Sequence, residues 1–569
     1  MIVDNQYIRS LDNIPFFFTG KYWNMINVRS TETAYRPLRS LTFAIDYFFW
    51  GLDPAGYHLT NMILHILNVI MVYFLVHVIM QSGKKSFYGH DDTKWTGYYF
   101  IPFLTALFFA VHPIHTESIN FIKNRSDLMA LLFLGMSILF FVKDSVSKNN
   151  IYYVLSLVLS IAAILSKSVV VVLPVILILY IVLFKPVKEY GFYAAKTIPF
   201  ALIMAVFLFF RISYRQLNAP VAYGFNITVW GRLLIVFKTL GYYFYMLVFP
   251  VNLNAMRHLD FRMSITDPGV ILSVVVLPVI FYVVIKNIKR SRLSCFGFFW
   301  IIFMILPVSN ILINRARPIA EQRLYLPSLG FCLLLAVFIH KLWSLNIIYF
   351  KKTRIAAVFL SIAIIIFYSG VTINRNPDWK DEVSFWTKTI QRSPGNPKSY
   401  NNLGYAYFHK GNYDMAIKYA SKASAIKPEY SSPHNLLGMV YERRGDLDRA
   451  LEEFTAALMI EPDNYTYTNN KGLIHFKLGD HAKALSEFKN AKKLDPDKLL
   501  AYKNTAIVYT HQDKFAKAIQ EYQMIMKIDN KNVMAYAGLG YVYWMADDKE
   551  KAMEQYIAIE NIKKNRENN

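Results

Sequence analysis

The sequence has little cysteine and few charged residues for its length. Only Cys295 and Cys332 occur among 569 residues, both within apolar runs, so neither a disulfide framework nor a thiolate zinc site is expected. Charged residues make up 18% of the chain, below the roughly 25% of soluble domains. Phosphate-binding loops, dinucleotide fingerprints, nucleophile elbows and kinase motifs are lacking in any supporting context, which argues against nucleotide-driven chemistry.

Apolar and basic residues are in excess. Hydrophobic residues make up 54% of the chain, and 62 lysines and arginines stand against 39 acidic residues. The cations concentrate in short loops between apolar runs, such as KNIKRSR (286–292) and KKTR (351–354). That distribution is typical of cytoplasmic membrane flanks and not of a nucleic-acid-binding face. The apolar excess ends near residue 374, which predicts a membrane part followed by a soluble part.

The apolar runs predict the membrane-spanning helices. A helix needs about 20 apolar residues to cross about 30 Å of hydrocarbon. With the positive loops in the cytoplasm, one run must not cross, and 228–250, which carries Arg232 and Lys238, is the expected interfacial or re-entrant element. About ten crossings follow within a membrane domain predicted over 57–374, preceded by an outer-face loop with an amphipathic segment over 1–56. Both chain ends are then on the outer face. The runs lie at 57–80, 99–112, 126–143, 151–166, 169–185, 195–211, 233–250, 268–286, 294–313, 325–343 and 354–374.

The soluble part repeats with a period of 34 residues. Gly404, Gly438 and Gly472 share one position of the repeat. The pattern is that of the tetratricopeptide repeat, in which each helix pair buries its apolar face only against its neighbours. We expect five units over 397–569, preceded by a linker helix over 375–396. Such a solenoid usually binds peptides or protein segments in its concave groove, and a spacer or oligomerisation module is the alternative.

Three outer loops carry ionisable residues that connectors do not need. They lie within 35–38, 112–127 and 320–328, on one predicted side of the membrane, and ionisable residues near membrane depth are often functional. The candidate residues are Arg36, His112, His115, Glu117, Lys123, Arg125, Asp127, Glu321, Arg323 and Tyr325.

Each of these candidates has a structural alternative. His112, His115 and Glu117 have spacing that fits a metal ion, but solvated or hydrogen-bonded histidines are the alternative, and no metal ligand is assigned. Arg323 suits either an anion or an interfacial anchor. Glu117 also suits a helix cap, and Lys167 marks a helix end at a tight outer turn. The histidines of the first apolar run are expected to pack between helices: His58, His65 and His77.

The order of these motifs resembles a known family. YRPLRSLTF (35–43), GLDPAGYHLTNMILHILN (51–68), FAVHPIHTESI (109–119), SKSVVVVLP (166–174) and QRLYLPSLGFCLL (322–334) precede the repeats. Together they are similar to the transmembrane and tetratricopeptide-repeat-containing O-mannosyltransferases, which belong to the GT-C class of polytopic glycosyltransferases. The resemblance covers nearly the whole chain. It implies an all-α fold, a polytopic GT-C-like helical bundle followed by a tetratricopeptide-repeat solenoid.

The resemblance also implies a reaction and its participants. A mannose-like sugar would pass from a polyprenyl-phosphate donor to Ser or Thr hydroxyls of a protein held by the repeats. Arg323 and Arg36 would bind the lipid phosphate, and Glu117 is the candidate catalytic carboxylate. The expected partners are the bilayer, the lipid-linked sugar and the acceptor, with no nucleic acid. No cofactor is assigned, and a divalent metal is the disfavoured alternative. The setting would be a bacterial inner membrane or the endoplasmic reticulum, with the repeats on the outer or lumenal face.

The start of the chain departs from that family. There, the catalytic aspartate belongs to an acidic pair after the first membrane helix, upstream of a stretch like NNPYIRSLKNIPKFF. The matching stretch here is DNQYIRSLDNIPFFF (4–18), and only MIV precedes it. The helix and the acidic pair are therefore expected to be lacking. Asp4 is the second candidate catalytic carboxylate, although it stands where the family has Asn. Either the chain begins inside the first loop or it is an impaired relative, in which case a non-enzymatic membrane scaffold is the rival function.

Overall fold

The computed structural model describes residues 5–19, 22, 35–82, 95–218, 228–257, 266–286, 291–309, 319–344, 350–530 and 532–567. The chain divides into two compact units, Met1–Lys380 and Asp381–Asn569. Among the described residues, β pairing is limited to one isolated bridge between Arg257 and Ile319. The predicted all-α class is confirmed, while the domain boundaries predicted at 56, 374 and 396 stay predictions.

The first unit is a bundle of apolar helices. Its principal helices are α1 Pro37–Trp50, α2 Pro54–Ser82, α3 Trp95–Val111, α4 Arg125–Ser147, α5 Asn150–Ser166, α6 Leu173–Phe184, α7 Tyr190–Asn218, α8 Val229–Val248, α9 Pro268–Lys286, α10 Arg292–Ile305, α11 Pro327–Ser344 and α12 Phe350–Arg375.

In the described residues, seven helices are long and apolar enough to cross a membrane, or eight if the bent pair Tyr98–Val111 and Pro113–Asn120 forms one span. Shorter apolar helices cover Asn150–Ser166, Ser168–Phe184 and Arg292–Val308. The multi-pass character is confirmed, and the number of ten crossings stays a prediction. Helix α8, the expected non-crossing element, has the length of a full span, so its path stays a prediction too.

Helix α4 forms the centre of the first unit. In its most apolar window 72% of residues are buried, against 12% for α9, so α4 lies inside the bundle and α9 presents its apolar side chains outward, as lipid-facing helices do. Nearby, α10 and α11 approach closely where Gly297 meets Gly330. A Cβ on Gly330 would lie 2.4 Å from the Gly297 carbonyl oxygen, which is the small-residue contact typical of membrane helix pairs.

The segment before α1 packs onto the start of the bundle. Ile8, Phe17 and Tyr22 are buried together with Phe43 of α1 and Tyr57 of α2. The hydroxyl of Tyr22 donates to Ser40 Oγ at 2.8 Å. This aromatic cluster fixes α1 against α2, and Arg36 directly precedes α1.

The second unit is a helical solenoid. It begins with α13 Glu382–Arg392 and continues in five helix pairs. The predicted helical-repeat solenoid is confirmed, and the assignment of all five pairs as repeat units stays a prediction. The pairs are α14 Pro397–His409 with α15 Tyr413–Ile426, α16 Ser431–Arg444 with α17 Leu447–Ile460, α18 Tyr465–Lys477 with α19 His481–Leu494, α20 Leu499–His511 with α21 Phe515–Ile528, and α22 Val533–Met545 with α23 Lys549–Glu567.

Local chemistry recurs at each turn of the first repeats. In the second repeat, Gly445 has φ +82°, the left-handed conformation that glycine adopts without a steric penalty. The next residue, Asp446, caps α17 by accepting the Arg449 backbone N–H. Gly438 lets the ring of Phe454 approach, because a Cβ there would lie 2.8 Å from the ring. Each of the first three repeats therefore encodes its own turn and its own close helix contact.

Candidate functional site

The candidate loops meet at the N-terminal end of α4. Arg125, the first residue of α4, is fully buried. Its Nη2 lies 2.5 Å from Asp46 Oδ2 and donates to the Tyr57 carbonyl at 2.9 Å. Its Nε donates to Asn61 Oδ1 at 2.8 Å, and the Phe43 ring lies 4.8 Å from the guanidinium. Arg125 therefore ties α1, α2 and α4 together, which is a structural role.

Arg36 and Lys167 meet next to Arg125. Arg36 Nη1 donates to Ser126 Oγ at 2.9 Å. Lys167, at the junction of α5 and α6, forms an ion pair with Asp127. The lysine side chain is 11% exposed and the aspartate 1%, so the pair is buried with its cationic side nearer to solvent.

Arg323 completes a group of three cations. It lies in the short 3-10 turn Glu321–Leu324, and its Nη1 donates to the Tyr243 hydroxyl and to the Val308 carbonyl, both at 3.3 Å. These bonds hold the guanidinium toward α8 and the end of α10. We call Arg36, Lys167 and Arg323 the basic triad.

The charges of Arg36 and Arg323 both act on Lys167. Burial lowers the pKa of Lys167, and the positive charges of Arg36 and Arg323 lower it further, while Asp127 opposes the shift. Three positive charges thus lie near one another at a partly enclosed place, and that of Lys167 is paired with Asp127. An anion entering the basic triad would relieve this repulsion, and cations so arranged are typical of phosphate-binding sites.

Tyr325 and two histidines form a hydrogen-bonded core next to the Glu321–Leu324 turn. His65 Nε2 donates to the Ala110 carbonyl at 3.3 Å, so in the neutral ring Nδ1 accepts from the Tyr325 hydroxyl at 2.9 Å. His115 Nε2 bonds Ser328 Oγ at 2.8 Å. Tyr325 and His115 therefore support the site from within.

His112 is occupied in the same way. Its Nε2 donates to the Leu247 carbonyl at 3.1 Å, and its Nδ1 accepts the Ile114 backbone N–H at 3.2 Å. With both ring nitrogens used, His112 has none left for a metal ion. Across the described ranges, no group of three or more His, Cys, Asp or Glu side chains could hold a metal.

The two glutamates of the candidate loops bind protein groups. Glu117 is 1% exposed, and its Oε2 accepts the backbone N–H of Gln322 at 3.0 Å. Glu321 pairs with Arg375 at the end of α12. The predicted catalytic role of Glu117 stays a prediction, and Asp4 lies outside the described residues.

Sequence reasoning missed part of this arrangement. Lys167 was expected only to mark a helix end, and Asp127 was named without a role, yet they form the ion pair at the centre of the basic triad. The available signal was a lysine within the otherwise uncharged SKSVVVVLP. Arg375 gave no signal, because it stands at the end of an ordinary apolar run.

Comparison with known proteins gives a consistent result. Family models described as tetratricopeptide repeat match residues 397–430, 435–498 and 470–532. Protein O-mannosyl-transferase F38B6.6 of Caenorhabditis elegans is 27% identical over 441 residues, covering 75% of this chain and 59% of the relative. Protein O-mannosyl-transferase TMTC3 of Homo sapiens is 24% identical over 473 residues, covering 75% and 48%. The chain is a homologue of these proteins. The resemblance inferred from the motifs is confirmed.

The extent of the match is partial. The chain spans about half the length of the curated relatives it matches, as with Tmtc3 of Drosophila melanogaster, of which 52% is covered at 24% identity. Among solved structures, MamA of Desulfovibrio magneticus RS-1 is 20% identical, with a TM-score of 0.27, covering 30% of this chain and 96% of that one. The repeat assignment rests on the family models and on the helix pairs described above.

Proposed function

We propose that this protein is a membrane glycosyltransferase that moves a mannose-like sugar from a polyprenyl-phosphate donor to Ser or Thr hydroxyls of protein acceptors. The observation that carries the proposal is the alignment of 75% of the chain with proteins named protein O-mannosyl-transferase. That alignment supports protein O-glycosylation. The donor and acceptor assignments rest on the chemistry of the basic triad and on the repeats.

The basic triad suits the donor end of the reaction. The acceptor hydroxyl oxygen attacks the anomeric carbon of the sugar, and the bond from that carbon to the phosphate oxygen breaks. The bond electrons remain on the lipid phosphate, and the hydroxyl proton passes to a base or to that phosphate. Cations already in place stabilise the charge that develops there. Arg36 and Arg323 offer planar donor pairs to phosphate oxygens, and Lys167 offers a compact third charge.

The repeats suit the acceptor end. Tetratricopeptide solenoids build extended concave surfaces from stacked helix pairs, and α14–α23 supply five such pairs. A protein segment bound there would be kept at high local concentration near the membrane. The proposed setting is an inner bacterial membrane or the endoplasmic reticulum, with this unit on the outer or lumenal side.

One observation favours the alternative of a membrane-anchored scaffold without catalysis. Transfer to a hydroxyl needs a base within hydrogen-bond reach. Glu117, Asp127 and Glu321, the carboxylates of the described candidate loops, are all engaged in buried protein contacts. A scaffold needs only the repeats and their anchor.

A transfer assay separates the two functions. The full chain in lipid nanodiscs is incubated with labelled polyprenyl-phosphate mannose and a Ser/Thr-rich acceptor protein. The variant Arg323→Ala is compared with the control Arg354→Ala, which lies at the end of α12 opposite to Arg375. We expect Arg323→Ala to lower transfer about 10-fold to 100-fold, because a charge-assisted contact to phosphate is lost, and Arg354→Ala to leave it unchanged.

Two outcomes would contradict the proposal. Wild-type protein that transfers no sugar from mannosyl or glucosyl donors, yet captures the acceptor through its repeats, supports the scaffold. Wild-type transfer that Arg323→Ala leaves intact removes the basic triad as the donor site.

A further inference from the structure

The turn that carries Arg323 is held from outside by two side chains. It spans Glu321–Leu324. Glu117 Oε2 accepts the backbone N–H of Gln322 at 3.0 Å, and Arg375 pairs with the carboxylate of Glu321. The two residues directly before Arg323 are therefore both fixed by groups distant in sequence.

These contacts close into a ring. Arg375 Nε also donates to Thr116 Oγ1 at 2.8 Å, and Thr116 is the neighbour of Glu117. One adjacent pair, Thr116 and Glu117, is thus bound to another adjacent pair, Glu321 and Gln322, once directly and once through Arg375. A closed ring of hydrogen bonds restricts both rotation and translation of the turn.

The side chains of this ring are also buried. Glu117 is 1% exposed, Glu321 0% and Arg375 5%. Hydrogen bonds of charged groups are stronger where water is excluded. The geometry of the turn is therefore imposed by this ring and not left to a solvent-exposed loop.

We infer that Glu117 is a positioning residue: its carboxylate, together with Arg375, fixes the Glu321–Leu324 turn so that Arg323 is held in the basic triad. The inference rests on the proposed function for the meaning of that triad. A general base must reach the proton it abstracts, whereas Glu117 is buried with an oxygen already occupied by a backbone N–H.

Glutamine at position 117 separates positioning from catalysis. The side-chain amide of Glu117→Gln keeps an oxygen that can accept the Gln322 N–H, but it cannot take up a proton. Glu117→Ala removes both abilities. Positioning therefore predicts that Gln rescues what Ala loses, while a catalytic base predicts that both variants fail alike.

The experiment uses the full chain in nanodiscs and three measurements. They are binding of polyprenyl phosphate without sugar, hydrogen exchange of a peptide covering 321–325, and sugar transfer as a function of pH. We expect Glu117→Ala to weaken polyprenyl phosphate binding about 10-fold to 100-fold and to speed exchange. Glu117→Gln should stay within about 3-fold of wild type, with an unchanged pH profile. The exposed Glu429→Ala in the second unit is the matched control.

Opposite results would overturn the inference. Unchanged exchange at 321–325 in Glu117→Ala would show that no clamp exists. Loss of transfer in Glu117→Gln with normal binding and exchange would make Glu117 the base. If Glu117→Ala does not fold, Thr116→Val removes only the hydroxyl that Arg375 binds, and it should speed exchange and weaken binding in the same direction by less.

A different result would contradict the proposed function. Wild-type protein that binds polyprenyl phosphate no better than the neutral polyprenol would reject the donor site. The exchange measurement would still report whether Glu117 holds the turn, since it needs no ligand.

Discussion

Among the described residues, the two units of the chain differ in how deeply their most buried ion pairs lie. In the first unit the pair of Arg125 and Asp46 is 0% and 5% exposed, whereas in the second unit the pair of Lys410 and Asp381 is 53% and 39% exposed. Further buried or half-buried pairs in the first unit are Lys167–Asp127, Lys196–Asp144 and Arg375–Glu321. Exposed pairs in the second are Arg444–Asp414, Arg449–Asp446 and Lys483–Asp480.

The difference shows which contacts determine the structure in each unit. An apolar bundle gains little specificity from apolar contacts alone, because its helices can pack against one another or against lipid. Buried charges fix which loops meet, since breaking a pair leaves an uncompensated charge. In the repeats, small residues and aromatic rings recur every 34 residues, and exposed ion pairs add little.

The largest loss of stability should come from breaking a buried ion pair. Glu321→Ala leaves the guanidinium of Arg375 buried without its carboxylate, and we expect a loss of about 3–5 kcal/mol in the free energy of unfolding. The measurement is the melting temperature of the detergent-solubilised full chain. In the second unit, the matched substitution Asp414→Ala, at an 87% exposed carboxylate, should leave it nearly unchanged.

A double substitution tests the cause of that loss. Glu321→Leu combined with Arg375→Met removes both charges and keeps similar volumes, so most of the stability should return. Equal damage from the single and the double change would mean that the pair contributes shape and not charge.

The next effect should come from the two glycine contacts. Gly330→Ala places a Cβ 2.4 Å from a backbone oxygen of Gly297. Because the backbone of a packed helix cannot shift locally, we expect a loss of about 3 kcal/mol in the free energy of unfolding. Gly438→Ala meets the ring of Phe454 at 2.8 Å, and a ring can shift, so about 1 kcal/mol is expected. Thermal unfolding of each unit, detected by hydrogen exchange, measures the cost of both substitutions.

The control for this pair is Gly370→Ala. A Cβ at this position in α12 meets no atom within 4 Å. The substitution should be neutral or stabilise by up to about 1 kcal/mol, because alanine favours the helix. Equal costs at Gly330 and Gly438 would contradict the distinction between backbone and side-chain obstacles.

The same contrast explains what the sequence could predict. The first repeats were predictable almost to the residue, since each of the first three helix pairs carries a turn glycine, a helix cap and a close-contact glycine. These pairs begin at Pro397, Ser431 and Tyr465, one period apart. The apolar runs likewise predicted most bundle helices. Periodicity reports the exposed and buried faces of a single element, and that information was sufficient for both.

The candidate site was only partly predictable, because its contacts join single residues across long separations. Arg36 and Arg323 were identified by residue type, but the partner of Glu321 is Arg375, 54 positions away, and nothing near Arg375 signals that role. Asp127 and Lys167 are 40 positions apart. Such pairs follow from how helices pack, which no local pattern specifies.

The smallest effect should come from an exposed pair in the second unit. Asp381 caps α13 by accepting the Ser384 backbone N–H at 2.7 Å, and it accepts from Lys410 Nζ at 2.8 Å. We expect Lys410→Ala to cost less than about 1 kcal/mol at neutral pH, because the pair is largely solvated. Chemical unfolding of the fragment 381–569 measures this, with the exposed Lys489→Ala as control.

The stability cost of Lys410→Ala should depend on pH. The hydrogen bond from Lys410, followed by that from the Ser384 backbone, holds the pKa of Asp381 well below its usual range. A depressed carboxyl pKa stabilises the folded state above the unfolded value of about 4, and the contribution is lost as the pH falls through the folded value. The cost of Lys410→Ala should therefore shrink on acidification while that of Lys489→Ala stays flat. A cost that is independent of pH would mean that Lys410 acts through its aliphatic packing and not through its charge.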